Sequence, residues 1–192
     1  MIPNRGNRFS DEIMLYEEKS ARRGFLMRKI AQRDAFHQTG WPGLRARLFH
    51  LYFLLARPMT LGVRGVVHDG ATNSVFLIRH TYAPGWQFPG GGVERGETMV
   101  EALERELQEE GNIAVTGPMM LKSMHFNRQA SRRDHVAVYL IEAFEQTAPK
   151  LSDREIAEAG FFPLDRLPDQ TTPATLRRIA EIFGDAPASV YW

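Results

Sequence analysis

The chain has 192 residues, 43% of them hydrophobic and 24% charged, with a formal net charge of +1. This is the makeup of a soluble globular chain with one sizeable core plus an extension, and a charge so near zero says nothing about a nucleic-acid partner. There is no cysteine, which excludes a disulfide framework, a thiolate metal site and a thiol nucleophile and fits a reducing, cytoplasmic setting.

In chain order, residues 1–57 read as a basic, helical extension. Arg5, Arg8, Lys19, Arg22, Arg23, Arg28, Lys29 and Arg33 make its first part basic, and Gly40-Trp41-Pro42-Gly43 breaks it. Residues 44–57 then read as an amphipathic helix with Leu44, Leu48, Leu51 and Leu55 along one side, ended by Pro58. The run Leu48 to Ala56 is too short to span a bilayer, so no membrane partner is expected. It also lies too far from the start for a signal peptide. The leucine stripe has to be covered, by its own domain or by a twofold-related copy. The second, a homodimer through this helix, is favoured because the core domain should close without it.

Residues 58–168 read as the main domain. Leu61 to His68 alternates as a strand, Asp69-Gly70 and Thr72-Asn73 mark a turn, and Val75 to Ile78 is a second, buried strand. Arg79-His80-Thr81-Tyr82 leads into a loop with glycines at 90, 91, 92 and 96. Thr98 followed by Glu101 is a capping box, so a helix begins there. Met99, Val100, Leu103 and Leu107 give its packing face. Ile113 to Val115 and Leu121 to His125 read as strands, Phe126 to Asp134 as a polar, basic loop, and His135 to Phe144 as a long strand. Leu151 to Glu158 reads as an acidic loop or short helix, and Gly160 to Leu164 as a short strand. Residues 169–192 are a C-terminal helix, with Pro173 at its start, and a tail packed on the domain. Strands interleaved with helices predict an α/β sandwich.

The chemistry gathers in residues 86–113. Glycines 90–92 allow a ligand or metal to approach the main chain closely. At about 100° per residue, Glu106, Glu109 and Glu110 share one arc of roughly 100° beside the apolar face. Like charges so placed repel, and a site for Mg2+, or Mn2+ in its place, removes that objection because hard cations take carboxylate oxygens. The plain alternative is a solvated acidic helix face. The glycine loop and capping box at fixed offsets favour the metal.

Gly91, Glu97, Arg105-Glu106-Leu107-Gln108-Glu109-Glu110 and Ile113, with the upstream Pro89-Gly90-Gly91-Gly92-Val93-Glu94, resemble the Nudix box. One position departs: where that family usually has glycine before the final aliphatic residue, this chain has Asn112, the next-best residue for a left-handed helix end. The resemblance implies a Nudix-type α/β/α sandwich with a mixed sheet. It also implies Mg2+-dependent hydrolysis of a diphosphate linkage in a nucleoside diphosphate derivative or related phosphoanhydride. It further implies that the Gly90 carbonyl joins Glu106, Glu109 and Glu110 as a metal ligand. Glu97 and Arg105 would bridge loop to helix, and Glu155, of the acidic run Asp153, Glu155 and Glu158, would help the metals or activate water, against the reading that it is loop charge.

Either Glu109 or Glu155 would take a proton from the attacking water. Arg128, Arg132 and Arg133 in the basic loop, with Arg79, are the candidate phosphate contacts, against the reading that they are surface charge. Trp86 and Phe88 read as core, with one of them a candidate to stack on a base. The competing function is a non-catalytic Nudix-like module that senses a nucleotide metabolite. Such modules usually lose box carboxylates, and here all are present. An isomerase of the same fold is disfavoured by the absence of cysteine.

Overall fold

The computed structural model describes residues 59–192. The leucine-striped helix over 44–57, the basic segment before it and the dimer expected through them lie outside the described residues. Strands β1 (Thr60–Asp69), β2 (Ser74–His80), β3 (Ile113–Val115), β4 (Met120–Phe126), β5 (Asp134–Ile141), β6 (Phe144–Gln146) and β7 (Ile156–Pro163) accompany helices α1 (Met99–Gly111) and α2 (Pro173–Phe183). The five-stranded sheet runs β4-β5-β1-β2-β7, and β3 pairs with β6 in a separate ribbon. The sheet is mixed: β1 runs parallel to β5, while the other neighbours are antiparallel. Among the described residues no helix is long and apolar enough to cross a membrane.

Strand alternation divides the core in two. Val63, Val67, Phe76, Ile78, Ala137 and Ile141 pack with Ala102, Leu103 and Leu107 of α1. Val66, Val75, Leu77, Val138 and Leu140 pack with Trp86, Phe88 and the α2 side chains Ile179, Ile182 and Phe183. The sheet is therefore covered by a helix on each face, the α/β/α arrangement expected. Both loop aromatics are core, Trp86 at 9% and Phe88 at 1% exposure.

The strand pair β1–β2 is joined directly only at its turn end, at His68↔Val75 and Asp69↔Ser74. Beyond that the strands splay, and the glycine loop fills the gap. The amides of Val63 and Gly65 donate to the carbonyls of Gly91 and Pro89, and Val93 donates to Leu61. On the other side Gln87 and Ile78 exchange both bonds at 2.9 Å. Gly90 is where this wedge is tightest. Its φ is +135°, and a Cβ there would lie 2.1 Å from the Val63 carbonyl oxygen.

α1 begins with the capping box: Thr98 Oγ1 accepts from the Glu101 amide, and the Glu101 carboxylate accepts from the Thr98 amide. It ends at Asn112 in the left-handed region, φ 53° and ψ 35°, so the substitution for glycine is accommodated. The last carbonyls are met by Gln146 Nε2 on Gly111 and Lys150 Nζ on Glu109. Val100, expected on the packing face, is 40% exposed at the first turn, and Ala102 packs in its place.

Two expected boundaries move. The single strand over 135–144 ends at Ile141 and resumes at Phe144 as β6, which leaves the main sheet to pair with β3. The strand expected from Gly160 starts at Ile156, which is 1% exposed and pairs with His80. β2 thus gains a full-length antiparallel partner, and Glu158 lies in a strand rather than in a loop. Asp153 fixes the entry: its Oδ1 accepts from the Glu155 and Ile156 amides, and Lys150 pairs with it at 2.6 Å.

Gly90→Ala is expected to remove more than about 3 kcal/mol of stability, from strain at positive φ plus the clash with β1. Denaturant unfolding of the two proteins measures this. A loss below about 0.5 kcal/mol is within the range of a neutral surface change and means that the loop is not wedged as described.

Candidate active site

The carboxylates of α1 lie under the glycine loop, each in a different setting. Glu110 is 5% exposed, in the middle of the buried helix face, and its Oε2 accepts the Gly90 amide at 2.7 Å. Glu106 is largely covered, with its side chain 14% exposed, and pairs with Arg105 at 2.8 Å. A Cβ on Gly91 would lie 2.2 Å from Glu106 Oε1, so this glycine makes room for the carboxylate. Glu109 points outward, its side chain 62% exposed and 3.5 Å from Arg105.

Arg105 ties loop to helix. Its guanidinium donates to Glu97 at 3.0 Å and to the Gly92 carbonyl at 3.3 Å while holding Glu106. The bond to Glu97, then that to Glu106, holds the Arg105 pKa above its ordinary value. The same guanidinium, with the Glu94 amide, lowers that of Glu97. The Glu97–Arg105 bridge implied by the resemblance is therefore present.

Glu155 joins this group from the loop before β7. One ligand atom each of Glu110, Glu155 and His80 lie within 4.8 Å of one another. His80 Nε2 is 3.5 Å from Glu110 Oε1. Tyr82 stacks on the His80 ring at 4.8 Å and its hydroxyl reaches Glu155 at 3.4 Å. Strand alternation explains why His80 is here and Arg79 is not. Phe76, Ile78 and His80 face α1, while Val75, Leu77 and Arg79 face the other way. Arg79, expected at the phosphates, instead pairs with Glu158 at 2.5 Å and lies 6.0 Å from the Trp86 ring centre.

A second cation sits within the site. Arg64, the one charge in the apolar run of β1 from Gly62 to Val67, extends its guanidinium to the carbonyls of Phe88 (3.1 Å) and Gly90. The Gly90 oxygen expected to face a metal is thus in the grip of Arg64. Burial pulls the Arg64 pKa down, while Glu110 and then Glu106 hold it up; a guanidinium stays charged in either case. Beside it opens a cavity of about 260 Å³ lined by Gly62, Gly91, Gly92, Asn127, Asp134 and Trp192. Arg128, Arg132 and Arg133 are exposed on the loop that Asn127 and Asp134 close, with Arg128 4.7 Å from the Tyr191 ring centre.

Sequence reasoning missed Arg64, His80 and Tyr82. A lone cation among alternating buried valines was the available signal for Arg64. His80 and Tyr82 had none, because they enter through the return of β7 against β2.

These groups suit a divalent cation. Glu110 is a buried carboxylate whose pKa is pushed up to about 7, by burial first, against the Gly90 amide and Arg64, with Glu106 and Glu155 adding to the rise. Burial, then Arg64, lowers the His80 pKa, so the ring is neutral at pH 7 and keeps a lone pair for a ligand. Oxygen donors from Glu106, Glu109, Glu110 and Glu155 match what a hard cation takes.

The raised Glu110 pKa has a consequence for stability. The folded chain holds this proton up to about pH 7, whereas the unfolded chain releases it near pH 4.5. Stability from this group is therefore complete below pH 4.5 and lost as pH rises through 7, by up to about 3 kcal/mol. In chelator, unfolding free energy should fall more between pH 4.5 and 7.5 for the parent than for Glu110→Gln. Parallel pH profiles overturn this.

The NUDIX domain family model matches residues 58–182. An RNA pyrophosphohydrolase of Stenotrophomonas maltophilia is 50% identical over 46 residues, which is 24% of this chain and 22% of that protein. One of Alkalilimnicola ehrlichii is 44% identical over 50 residues, 26% and 28% of the two chains. The match thus spans about a quarter of these relatives' length. Among solved structures, a MutT NUDIX hydrolase from Burkholderia pseudomallei superposes with a TM-score of 0.55 at 27% identity, covering 64% of this chain and 97% of that one. A NUDIX hydrolase from Nitrosomonas europaea gives 0.54 at 21% identity over 68% and 75%, a likeness of fold. With the family model over most of the chain and the box carboxylates gathered under the glycine loop, the chain belongs to the NUDIX family.

Proposed function

We propose that the chain is a hydrolase of diphosphate linkages in nucleotide-derived compounds, acting with Mg2+ or with Mn2+ in its place. The observation that carries this reading is the buried Glu110, bonded to the Gly90 amide and grouped with Glu106 and Glu155. A solvated acidic helix has no reason to bury a carboxylate in this way. The names of the relatives support pyrophosphate chemistry, but 46 shared residues are too few to bring their RNA substrate with them. A sensing module is the weaker reading because no box carboxylate has been lost.

Glu106, Glu109, Glu110 and Glu155 would hold the cations. A bound divalent cation supplies positive charge against the charge developing on the phosphate oxygens. Arg64 adds a fixed positive charge under the loop. Arg105 keeps Glu106 in place and anchors the loop through Glu97. Glu155, exposed and beside the Tyr82 hydroxyl, takes the proton of the attacking water, with Glu109 as the alternative. The diphosphate lies along the glycine loop with its far end toward the 260 Å³ cavity, where Arg128, Arg132 and Arg133 attract it over the rim.

Four measurements test this. With a panel of nucleoside diphosphate derivatives, phosphate released after a coupled phosphatase should require a divalent cation. Glu106→Gln and Glu110→Gln should each lower turnover by about 100-fold or more while remaining folded; near-parental turnover in both overturns the metal assignment. Glu155→Gln should lower kcat more than it raises KM, and unchanged kinetics move the proton to Glu109. Arg132→Ala with Arg133→Ala should raise KM and flatten its salt dependence; equally tight binding at low salt makes these arginines surface charge only.

A further inference from the structure

We propose that His80 is itself a metal ligand, and that with Glu110 and Glu155 it takes a divalent transition cation of the Mn2+ class in preference to Mg2+. The inference rests on the reading above that this site holds divalent cations, and it adds a nitrogen ligand that a box of glutamates does not contain.

The His80 side chain is 4% exposed, and that of Glu110 6%. Two polar groups so deeply buried require partners. Their separation, 3.5 Å between Nε2 and Oε1, exceeds the ordinary N–H···O distance of about 2.7–3.2 Å. The other ring nitrogen, Nδ1, is buried and makes no hydrogen bond of good geometry, although the ring lies against the Glu155 main chain. The pair is too far apart for a good hydrogen bond, yet it is held in place. Tyr82 stacks on the ring, and the Thr81 amide bonds the Glu155 carbonyl at 2.9 Å, locking the β7 approach to the end of β2.

Ligand atoms about 2.0–2.2 Å from one cation lie about 3.0–3.5 Å from each other. The His80–Glu110 spacing is of that size; Glu155 lies within 4.8 Å, and its exposed side chain would move in to close the trio. A cation here would take the Nε2 lone pair together with Glu110 Oε1, the oxygen that the Gly90 amide leaves free. An imidazole ligand also discriminates: Mg2+ strongly prefers oxygen, whereas Mn2+, Fe2+ and Zn2+ accept nitrogen with rising affinity. One nitrogen among carboxylates therefore shifts the site away from Mg2+. Glu106 and Glu109, with oxygen alone, remain suited to it.

The test is pulsed electron paramagnetic resonance of the full chain with Mn2+ and no substrate. The expected result is echo modulation from a directly coordinated imidazole nitrogen, absent in His80→Gln. Competition binding should show the preference for Mn2+ over Mg2+ falling by roughly tenfold in that variant. Mn2+ bound with oxygen ligands only in the parent protein overturns the inference and leaves the hydrolase reading intact. A folded parent chain that binds no Mn2+ at millimolar concentration overturns both. Because the parent spectrum decides the matter, the inference stays testable even if the variant folds poorly.

Discussion

Everything in this site depends on the way two strands fail to pair. β1 and β2 meet at their turn and then separate, and the strand edges so exposed are met by the backbone of the glycine loop. Unpaired strand edges inside a sheet would cost several hydrogen bonds. The loop makes those bonds and is thereby fixed at backbone precision on both sides. Its amide at Gly90 then points to Glu110, and its carbonyls at Phe88 and Gly90 point to Arg64. The active surface is less a loop resting on a sheet than an irregular middle strand of it.

Charge is arranged around this element in an order set by burial. Glu110 is the most enclosed carboxylate and Glu109 the least, with Glu106 between. Arg105 lies at the exposed end, where it can hold Glu97 and Glu106 together, and Arg64 lies at the enclosed end, against main-chain carbonyls. Without a cation, mutual repulsion among the glutamates is limited by these two guanidiniums and by the proton that Glu110 retains near neutrality.

How far the sequence revealed this differs from element to element. The capping box at Thr98 and the left-handed end at Asn112 were legible because both are local: a side chain meets a backbone group a few residues away. The arc of glutamates was legible because helical geometry is regular, although which of them is buried was not, since that depends on what lies above the helix. Arg79 and His80 show the limit. They are adjacent in sequence, and the choice between them was made by strand parity, which a reading of charge alone overlooks. Leu151 to Glu158 reads as an acidic loop or short helix because nothing local announces that β7 starts four residues early, at Ile156; the need of β2 for an edge partner decides it.

The loop between β4 and β5 has a closed neck. Asn127 and Asp134 bond through both backbone and side chain, at 2.9 and 2.8 Å, and Thr60 ties Asp134 to the start of β1 at 2.7 Å. The residues between them, 128 to 133, hang from that neck with their side chains outward, and a loop held at its base changes length at small entropic cost. In evolutionary terms this segment is an interchangeable fitting. Insertions or new side chains there leave the strand ends that flank them, and the start of β1, where they are. A lineage can thus vary this part of the surface without disturbing the sheet beneath it.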